Sequence, residues 1–418
     1  MRWKHLAHTY LWQNVPRGFR RQALFNVTAR LAPRPTPNAP ARSPIIVAGL
    51  LRTASGLGEG ARLCHEALSQ CGHDVYGIDL TGFFRQPGPV VPFSFRDGKS
   101  IEGPGTIILH INGPFVPLAL VRLGKRFITG KRIIGYWAWE LPGVPPEWRF
   151  GVPLVHEIWV PSRFTASAIA PIAAEVPVRV VPHPVAVRGV PATKAHRPRE
   201  GPFTALVIFN MASGFARKNP LAAIEAFKQA FDSDPTCQLI VRVVNADLYP
   251  QGHKALAAAV GSLTNAQISY GNSGATSVDE LYASADVIIS LHRSEGFGLV
   301  IAEAMLYGLP AVVTNWSGNV DFLTADNGLP VLYSLVPAHD PQGTYNQPSC
   351  FWAEADVGDA AAKLRMIRDG RAIAVAIGKQ AASDASSMFG AETYIQRVRE
   401  LLGVSVAACH WTSGPKNE

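Results

Sequence analysis

Residues 286–322 read DVIISLHRSEGFGLVIAEAMLYGLPAVVTNWSGNVDF and predict the order strand, loop, helix, strand. The apolar run at 287–289 is typical of a strand buried on both faces, and polar and turn residues follow it. Good helix formers fill 299–307, after which Gly308 favours a left-handed cap and Pro310 prevents continuation. The stretch therefore has the alternation of an α/β domain.

The start of this predicted helix suits an anion. The first turn of a helix carries free N–H groups and the positive end of the helix dipole, so a phosphate is stabilised there without a metal. Gly296, Phe297, Gly298 and Leu299 lie at this point, and glycine lets a backbone come close to a ligand. We expect these residues to bind a phosphate.

Two carboxylates lie near the start of this predicted helix. Glu295 lies in the loop and Glu303 on the helix, four residues after Leu299, so both can face one cleft with a diphosphate-sized space between them. Two carboxylates suit two sets of hydroxyl groups. A turn glutamate and a solvated helix glutamate also explain the pair, and the spacing alone leaves both interpretations open.

The string EGFGLVIAE at 295–303 closely resembles the Glu-x7-Glu signature of the family-4 retaining glycosyltransferases, or glycosyl transferase group 1. Segments at 157–169, 180–185 and 314–322 resemble a bacterial subgroup of that family, and the resemblance runs from about residue 45 to about residue 368. It implies an α/β fold of the GT-B type, with two Rossmann-like domains and the active site in the inter-domain cleft.

A pair of cations precedes this signature. Residues 209–220 read FNMASGFARKNP and place Arg217 and Lys218 between a predicted strand and a predicted helix. Fixed cations stabilise the charge that builds on a departing diphosphate, as Mg²⁺ does elsewhere, so neither metal nor cofactor is expected. Lys218 resembles the family's phosphate-binding lysine, and Arg217 is inferred to replace the usual arginine. A solvated pair at a helix start is the alternative.

A glycine-rich loop follows the first predicted strand. Residues 56–61 formally satisfy G-x-G-x-x-G/A, and Asp79 stands where a dinucleotide site holds its ribose carboxylate, so a dehydrogenase is a rival. Residues 52–55 lengthen the loop, which weakens that match. The loop is similar to the family's first loop, which implies that Gly56 and Gly58 approach the donor phosphates. A tight structural turn is the third explanation.

Other polar and aromatic residues follow predicted strands. His110 ends one strand, and the family places a histidine at a corresponding strand end beside the reacting sugar, which implies a hydrogen-bonding role. Asn112, Trp137, Trp139 and Glu140 are assigned to the acceptor side, because aromatic rings stack on sugars and carboxylates bind hydroxyls. Core packing explains the tryptophans equally well.

The chain of 418 residues exceeds what one hydrophobic core usually serves. We predict an amino-terminal Rossmann-like, acceptor-side domain at 44–185 and a nucleotide-sugar-binding one at 203–385, joined by a linker at 186–202 that is rich in proline, glycine and charge. A basic extension and proline-rich connector occupy 1–43. Residues 386–418 hold a last helix, able to cross back to the first domain, and a tail.

The net charge of +8 belongs to the extension. Residues 1–43 contain eight Lys and Arg and no acid, and the remaining 31 basic residues equal the 31 acidic ones. Interleaved aromatic and aliphatic residues allow this segment to lie on an anionic membrane as a basic amphipathic surface. Packing on the first domain is the alternative, and no nucleic-acid-binding motif accompanies the charge.

The sequence predicts a cytoplasmic protein, with peripheral contact at the inner face of the membrane as an option. It has no uninterrupted apolar segment of a signal peptide and no run of about 18 apolar residues. Its five cysteines are scattered without zinc-binding spacing, so we expect all five to be reduced.

The resemblance implies a retaining transfer of sugar from a nucleoside-diphosphate donor to a saccharide or lipid-linked saccharide, in cell-surface polysaccharide or lipopolysaccharide synthesis. It implies that Glu295 holds hydroxyls of the donor sugar, Glu303 the ribose, and Lys218 with Arg217 the diphosphate. Two alternatives stay open. One is a non-catalytic partner subunit that binds a nucleotide or glycan, and the other is the NAD-dependent dehydrogenase.

Overall fold

The computed structural model describes residues 17–84, 90–186, 201–271 and 277–403. Three predicted segments fall partly outside these ranges: the start of the basic extension, most of the linker, and the tail after residue 403.

The first half of the chain forms a parallel sheet of six strands in the order β2-β1-β3-β4-β5-β6. These strands are Ile45–Gly49 (β1), Val75–Asp79 (β2), Gly105–His110 (β3), Lys131–Tyr136 (β4), Glu157–Val160 (β5) and Val178–Val180 (β6). β1 is an apolar run, and both β1 and β3 are buried at every position, as strands covered by helices on both faces should be.

The second half forms another parallel six-stranded sheet, in the order β12-β11-β10-β7-β8-β9. Its strands are Phe203–Asn210 (β7), Cys237–Val244 (β8), Ala266–Tyr270 (β9), Val287–Ser290 (β10), Ala311–Thr314 (β11) and Leu329–Val331 (β12). Two parallel α/β sheets confirm the expected class, with two Rossmann-like units. The exact domain limits remain a prediction.

Helices cover both faces of each sheet. Those of the first half are Arg17–Leu31 (α1), Gly56–Gln70 (α2), Thr81–Phe84 (α3), Val116–Leu123 (α4), Lys125–Ile128 (α5) and Arg163–Ala173 (α6). Those of the second half are Phe215–Lys218 (α7), Pro220–Phe231 (α8), Pro250–Gly261 (α9), Val278–Ser284 (α10), Leu299–Leu306 (α11), Val357–Asp369 (α12), Arg371–Phe389 (α13) and Ala391–Leu402 (α14). Single 3₁₀ turns occupy Gly113–Phe115, Pro146–Phe150, Val152–Leu154, Met211–Ser213, Ala246–Leu248 and Ser317–Asp321.

An antiparallel ribbon that the sequence did not predict projects from the second unit. Its strands are Tyr333–Pro337 (β13) and Phe351–Ala355 (β14), and residues 338–350 form the tip between them. Tyr345 and Trp352 of this ribbon join the core cluster of the first unit. The ribbon therefore bridges the two halves of the molecule.

The last helix, α14, packs against α2 of the first unit. Tyr394, Ile395 and Val398 lie in one core cluster with Cys64 and Leu68. The hydroxyl of Tyr394 donates to Sγ of Cys64 at 3.1 Å. The chain thus returns to the first sheet after completing the second.

α1 lies on the outside of the first unit. Phe25 is buried, and its ring meets that of Phe115 edge-on with centroids 5.5 Å apart. Leu24, Val27 and Leu31 are 43%, 53% and 67% exposed. Nowhere in the described ranges does a helix combine the length and the apolar character needed to span a bilayer.

The cysteines correct one expectation. Cys64, Cys237 and Cys350 are free, whereas Cys71 is disulfide-bonded. The prediction that all five are reduced is therefore wrong for Cys71, because the spacing of cysteines in a sequence does not show which of them form disulfides in the fold.

Candidate functional site

Two loops at the carboxyl edge of the second sheet carry the predicted donor-binding residues. β7 ends at Asn210 and β10 at Ser290, and the two strands are parallel neighbours, so the segments after them emerge side by side. One segment carries Lys218 and the other Glu295. Open parallel sheets bind ligands at this edge.

Glu295 forms an ion pair with two cations. Its Oε1 lies 2.6 Å from Nζ of Lys218 and 3.2 Å from a terminal nitrogen of Arg217. Only 7% of Glu295 is exposed, so solvent screens these contacts weakly. Burial by itself would raise the pKa of Glu295, but Lys218 and Arg217 lower it from 4.5 to about 2. The structure thus brings together three of the predicted residues, Glu295, Lys218 and Arg217, and keeps the carboxylate of Glu295 ionised.

Arg217 is buried, and its guanidinium is hydrogen-bonded to carbonyl oxygens of the protein. It is 2% exposed, and it donates to the carbonyl oxygen of Ser213 through two nitrogens and to that of Ser294 at 2.7 Å. Burial opposes its charge, but Tyr345 and Glu295 raise the pKa of Arg217 above its ordinary value. These contacts suit an arginine that orients Glu295, whereas Lys218 leaves 17% of its side chain exposed.

The loop around Glu295 is fixed by its own domain. The N–H of Glu295 donates to Oγ of Ser317 at 2.7 Å, and its carbonyl accepts from the N–H of Gly318 at 2.9 Å. Nε2 of His292 lies 3.0 Å from Oδ1 of Asn319 on the same 3₁₀ turn. The segment 314–322, singled out in the sequence, therefore acts as the support of the Glu295 loop.

The glycines of this loop are required by protein backbone. A Cβ at Gly296 would lie 3.0 Å from the carbonyl oxygen of Trp139, and one at Gly318 would lie 2.4 Å from that of Gly296. Gly298 has a φ of +100° and precedes α11 without a side-chain cap. The sequence assigned the close approach at Gly296 to a ligand, whereas in the structure the first domain makes it.

The side chains of Phe297 and Leu299 belong to the core. The ring of Phe297 lies 5.2 Å from that of Phe322 and 5.3 Å from that of Phe389, between ring centroids. Leu299 packs against the same cluster. Only the backbone of these two residues is left to meet a phosphate.

Glu303 has a partner of its own. Oε2 of this half-buried residue accepts from the hydroxyl of Tyr282 at 2.8 Å. The ring of Tyr282 stacks on that of Tyr307 with centroids 5.2 Å apart. Glu303 is thus positioned by α10, whereas Glu295 is positioned by Lys218 and Arg217.

The glycine-rich segment of the first domain meets this edge. Nδ2 of Asn210 donates to the carbonyl of Ala54 at 2.8 Å, across the two domains. Gly56, two residues further on, is exposed and a Cβ there would meet nothing within 4 Å. A Cβ at Gly58 would lie 2.5 Å from the carbonyl oxygen of Thr53. Packing explains Gly58, whereas no described residue lies close enough to Gly56 to require glycine there.

The dinucleotide interpretation loses support at Asp79. Oδ1 of Asp79 accepts from the N–H of Thr81 at 3.1 Å and from its hydroxyl at 2.6 Å. These bonds close the turn after β2. The carboxylate that a ribose would need therefore has a local structural role.

His110 ends β3, as predicted, but its side chain has no exposed surface. Its ring stacks on that of Tyr136 with centroids 4.5 Å apart, and both ring nitrogens are among the buried atoms without a partner in the described structure. Burial, assisted by His183, holds the pKa of His110 well below its ordinary value, so the ring is neutral. In this conformation the expected contact with a sugar is not available to it.

Trp137 and Trp139 also lie in the protein interior. Trp137 has no exposed surface, and Trp139 is 6% exposed with Nε1 donating to the carbonyl of Gly143 at 2.8 Å. Oδ1 of Asn112 accepts from the N–H of Ala138 at 2.9 Å. These contacts support core packing, the alternative to an aromatic platform for an acceptor sugar.

Tyr345 was not predicted as a site residue, and it contacts both the predicted acceptor-side residues and Arg217. Its hydroxyl donates to Oε2 of Glu140 at 3.2 Å, its ring centroid lies 5.5 Å from that of Trp139, and the guanidinium of Arg217 lies 5.3 Å from the ring. Tyr345 sits at the tip of the ribbon. No local pattern marks such a residue, because these three side-chain contacts come from distant parts of the chain.

The ribbon tip is itself anchored to the Lys218 loop. Asp340 accepts from the N–H groups of Gln342 and Thr344 at 3.0 and 2.8 Å, which shapes the turn. Oε1 of Gln342 then accepts from the N–H of Phe215 at 2.6 Å. The tip is therefore a fixed wall of the site.

Residues 193–331 match the family model described as Glycosyl transferases group 1. The matched region contains Arg217, Lys218, Glu295 and Glu303, which lie in the loops and helix described above. A search of the curated proteins found no significant match.

Several solved structures are similar to this chain. Sucrose-phosphate synthase from Thermosynechococcus elongatus has a TM-score of 0.61 at 15% identity, covering 86% of this chain and 98% of its own. HepE from Anabaena, in complex with UDP-glucose, has a TM-score of 0.58 at 14% identity, covering 86% and 99%. TarM from S. aureus, in complex with UDP, has a TM-score of 0.50 at 11% identity, covering 72% of this chain and 55% of its own, so this chain spans about half of TarM. These likenesses confirm the GT-B fold.

Proposed function

We propose that this chain is a retaining glycosyltransferase that moves a sugar from a nucleoside-diphosphate donor to a hydroxyl of a saccharide or lipid-linked saccharide. One observation carries the proposal: an ionised, buried carboxylate and a partly exposed lysine meet at the carboxyl edge of the second sheet, opposite the glycine-rich turn of the first. The family match to residues 193–331 supports the same activity.

Lys218 is assigned to the donor diphosphate. It is the more exposed of the two cations, and its ammonium can turn from Glu295 to a phosphate oxygen. The first-turn N–H groups of α11 face the same anion, because that helix begins without a side-chain cap. Arg217, assigned to the diphosphate from the sequence, is reassigned here as the residue that orients Glu295.

The carboxylates and Gly56 hold the rest of the donor. Glu295 accepts hydrogen bonds from hydroxyls of the donor sugar, and Glu303 accepts them from the ribose while Tyr282 fixes its orientation. The exposed Gly56 lets the first domain approach the phosphates, because no residue in the described ranges fills the space that its Cβ would take.

The proposed reaction exchanges one bond at the anomeric carbon. The bond to the leaving phosphate oxygen breaks as the acceptor oxygen bonds to the same face, and the acceptor proton passes to that phosphate oxygen. Lys218 stabilises the charge that develops on the diphosphate, so no metal is needed. Glu295 and Glu303 are not the acid and nucleophile of a glycoside hydrolase, because one of them is assigned to ribose.

We place the acceptor at a membrane surface, in cell-surface polysaccharide synthesis. α1 packs on the first domain through Phe25 and exposes Leu24, Val27 and Leu31. The extension that contains it has eight cations and no acid. Apolar side chains among cations bind anionic lipid. Co-sedimentation with anionic vesicles should fall for Val27→Glu, and equal binding by both proteins would remove this surface from the proposal.

The proposal is tested first by thermal shift against UDP, GDP, ADP, TDP and NAD. One nucleoside diphosphate should raise Tm, whereas a shift with NAD alone would favour the dehydrogenase. The matching nucleotide sugar is then incubated with the enzyme and saccharide acceptors in EDTA, and NMR of the product should give the donor's anomeric configuration. Nucleotide binding without transfer or donor hydrolysis would favour the non-catalytic partner subunit.

A further inference from the structure

We propose that Ser162 is a positioning residue, through which closure of the cleft places the loop that carries Glu295. The inference rests on the proposed function for its effect on transfer. Ser162 belongs to the first domain, at the start of α6, and its side chain is fully buried.

Ser162 reaches into the second domain. Its hydroxyl donates to the carbonyl oxygen of Gly296 at 2.6 Å. Oγ1 of the neighbouring Thr165 lies 3.2 Å from the same oxygen and 3.0 Å from the carbonyl oxygen of Trp139. Each hydroxyl has one hydrogen, and the shorter distances assign that of Ser162 to Gly296 and that of Thr165 to Trp139.

This contact completes the support of Glu295. Its own domain supplies two anchors, since Ser317 accepts from the N–H of Glu295 and Gly318 donates to its carbonyl. The next carbonyl along the chain, that of Gly296, is the one bound by Ser162. The third anchor therefore comes from the other domain.

Ser162 itself is held in place by the helix it begins. Its Oγ accepts from the N–H of Thr165 at 3.1 Å, which caps α6. The N–H of Arg163 donates to Oδ2 of Asp321 at 2.7 Å, on the 3₁₀ turn that also carries Ser317. The start of α6 thus forms hydrogen bonds with both the Glu295 loop and the 3₁₀ turn Ser317–Asp321.

These contacts couple closure of the cleft to the position of the loop that carries Glu295. If the domains separate, the Gly296 carbonyl loses the Ser162 hydroxyl, and the peptide between Gly296 and Phe297 is released from one side. When the cleft closes, the same bond returns that peptide to its place beside Trp139. Only in the closed molecule, therefore, does Glu295 meet the donor sugar in a single fixed orientation.

Ser162→Ala should lower kcat about tenfold and leave the Kd of the donor nucleotide unchanged. Ser162→Thr keeps the hydroxyl and should recover most of the rate. Ser277→Ala is the matched control, because Ser277 also caps a helix, α10, and its side chain accepts from the N–H of Glu280 within that helix start. Ser162→Gly serves as a second variant, since glycine is tolerated at a helix start.

Hydrogen exchange provides a measurement independent of activity. The amides of residues 293–298 should exchange faster in Ser162→Ala and Ser162→Gly than in the wild type, and at the wild-type rate in Ser277→Ala. Unchanged kcat and exchange in both Ser162 variants would overturn the inference. If the wild type shows no transfer with any donor, the proposed function fails, whereas the exchange comparison still decides whether Ser162 anchors the loop.

Discussion

Nζ of Lys218 lies 2.6 Å from Oε1 of Glu295, so the cation assigned to the donor diphosphate is already paired in the free protein. A donor must therefore compete with a carboxylate for this lysine. Because Lys218 changes its partner from Glu295 to the donor, mutations of these residues should affect nucleotide binding and sugar transfer differently.

Glu295→Gln keeps the shape of the side chain and removes the competing charge. We expect the nucleoside diphosphate to bind about three- to tenfold more tightly, on the order of 1 kcal/mol, while transfer slows because the sugar loses its carboxylate. Titration calorimetry gives the first quantity and a transfer assay the second. Weaker nucleotide binding by the variant would show that Glu295 assists the diphosphate site.

Lys218→Ala should lower kcat about 100-fold with the fold intact, because the departing diphosphate loses a fixed cation. Lys228→Ala is the control, since Lys228 is an exposed lysine of α8 in the same domain. Circular dichroism and kinetics of both variants make the comparison. Full activity of Lys218→Ala would remove this residue from the reaction.

The lowered pKa of Glu295 predicts how stability depends on pH. Because the carboxyl titrates at about 2 in the folded protein and near 4.5 ordinarily, its contribution is fully present above pH ~5 and is lost as the pH falls toward 2. The excess free energy of unfolding of the wild type over Glu295→Gln should shrink across that window. Denaturant titrations at pH 7, 4 and 3 measure it, and a constant difference would contradict the ion pairing.

Glu303→Ala should weaken nucleotide binding, because the ribose loses its carboxylate. Tyr282→Phe removes only the hydroxyl that orients Glu303 and should produce a smaller loss, of about two- to fivefold. Calorimetry with the nucleoside diphosphate distinguishes the two. Equal affinity for the wild type and Glu303→Ala would place the ribose elsewhere.

Two glycines should respond differently to alanine. Gly296→Ala brings a Cβ within 3.0 Å of the Trp139 carbonyl oxygen and should impair closure and transfer. Gly56→Ala meets no atom of the described residues within 4 Å and should affect only donor affinity. Gly261→Ala, which also has nothing within 4 Å, is the control. Transfer rates and nucleotide affinities of all three decide the matter, and an unchanged affinity in Gly56→Ala would exclude close donor contact there.

Much of the architecture follows from local pattern. The strand Val287–Ser290 and the helix Leu299–Leu306 lie where the apolar run at 287–289 and the helix formers at 299–307 predicted them, because these local patterns specify the two elements. Helix α13 was not predicted. Its sequence is rich in small residues, and it packs by close backbone approach: a Cβ at Gly378 would lie 2.2 Å from the carbonyl of Gly308.

The site was predicted in part for the same reason. Glu295 and Lys218 stand in motifs next to strand ends, and the parallel sheet brings them together. The contacts of Ser162, Tyr282 and Tyr345 arise between distant segments and leave no periodic signal. The burial of His110 likewise depends on neighbours that only the folded chain supplies.

The return of α14 to the first sheet has a consequence for biosynthesis. As the chain leaves the ribosome, the apolar side of α2 around Cys64 and Leu68 emerges long before Tyr394 and Ile395 exist to cover it. The first half cannot finish its outer layer until residues 391–402 have been synthesised. A nascent chain stalled before α14 should therefore be a strong chaperone client, even though both of its sheets are already encoded.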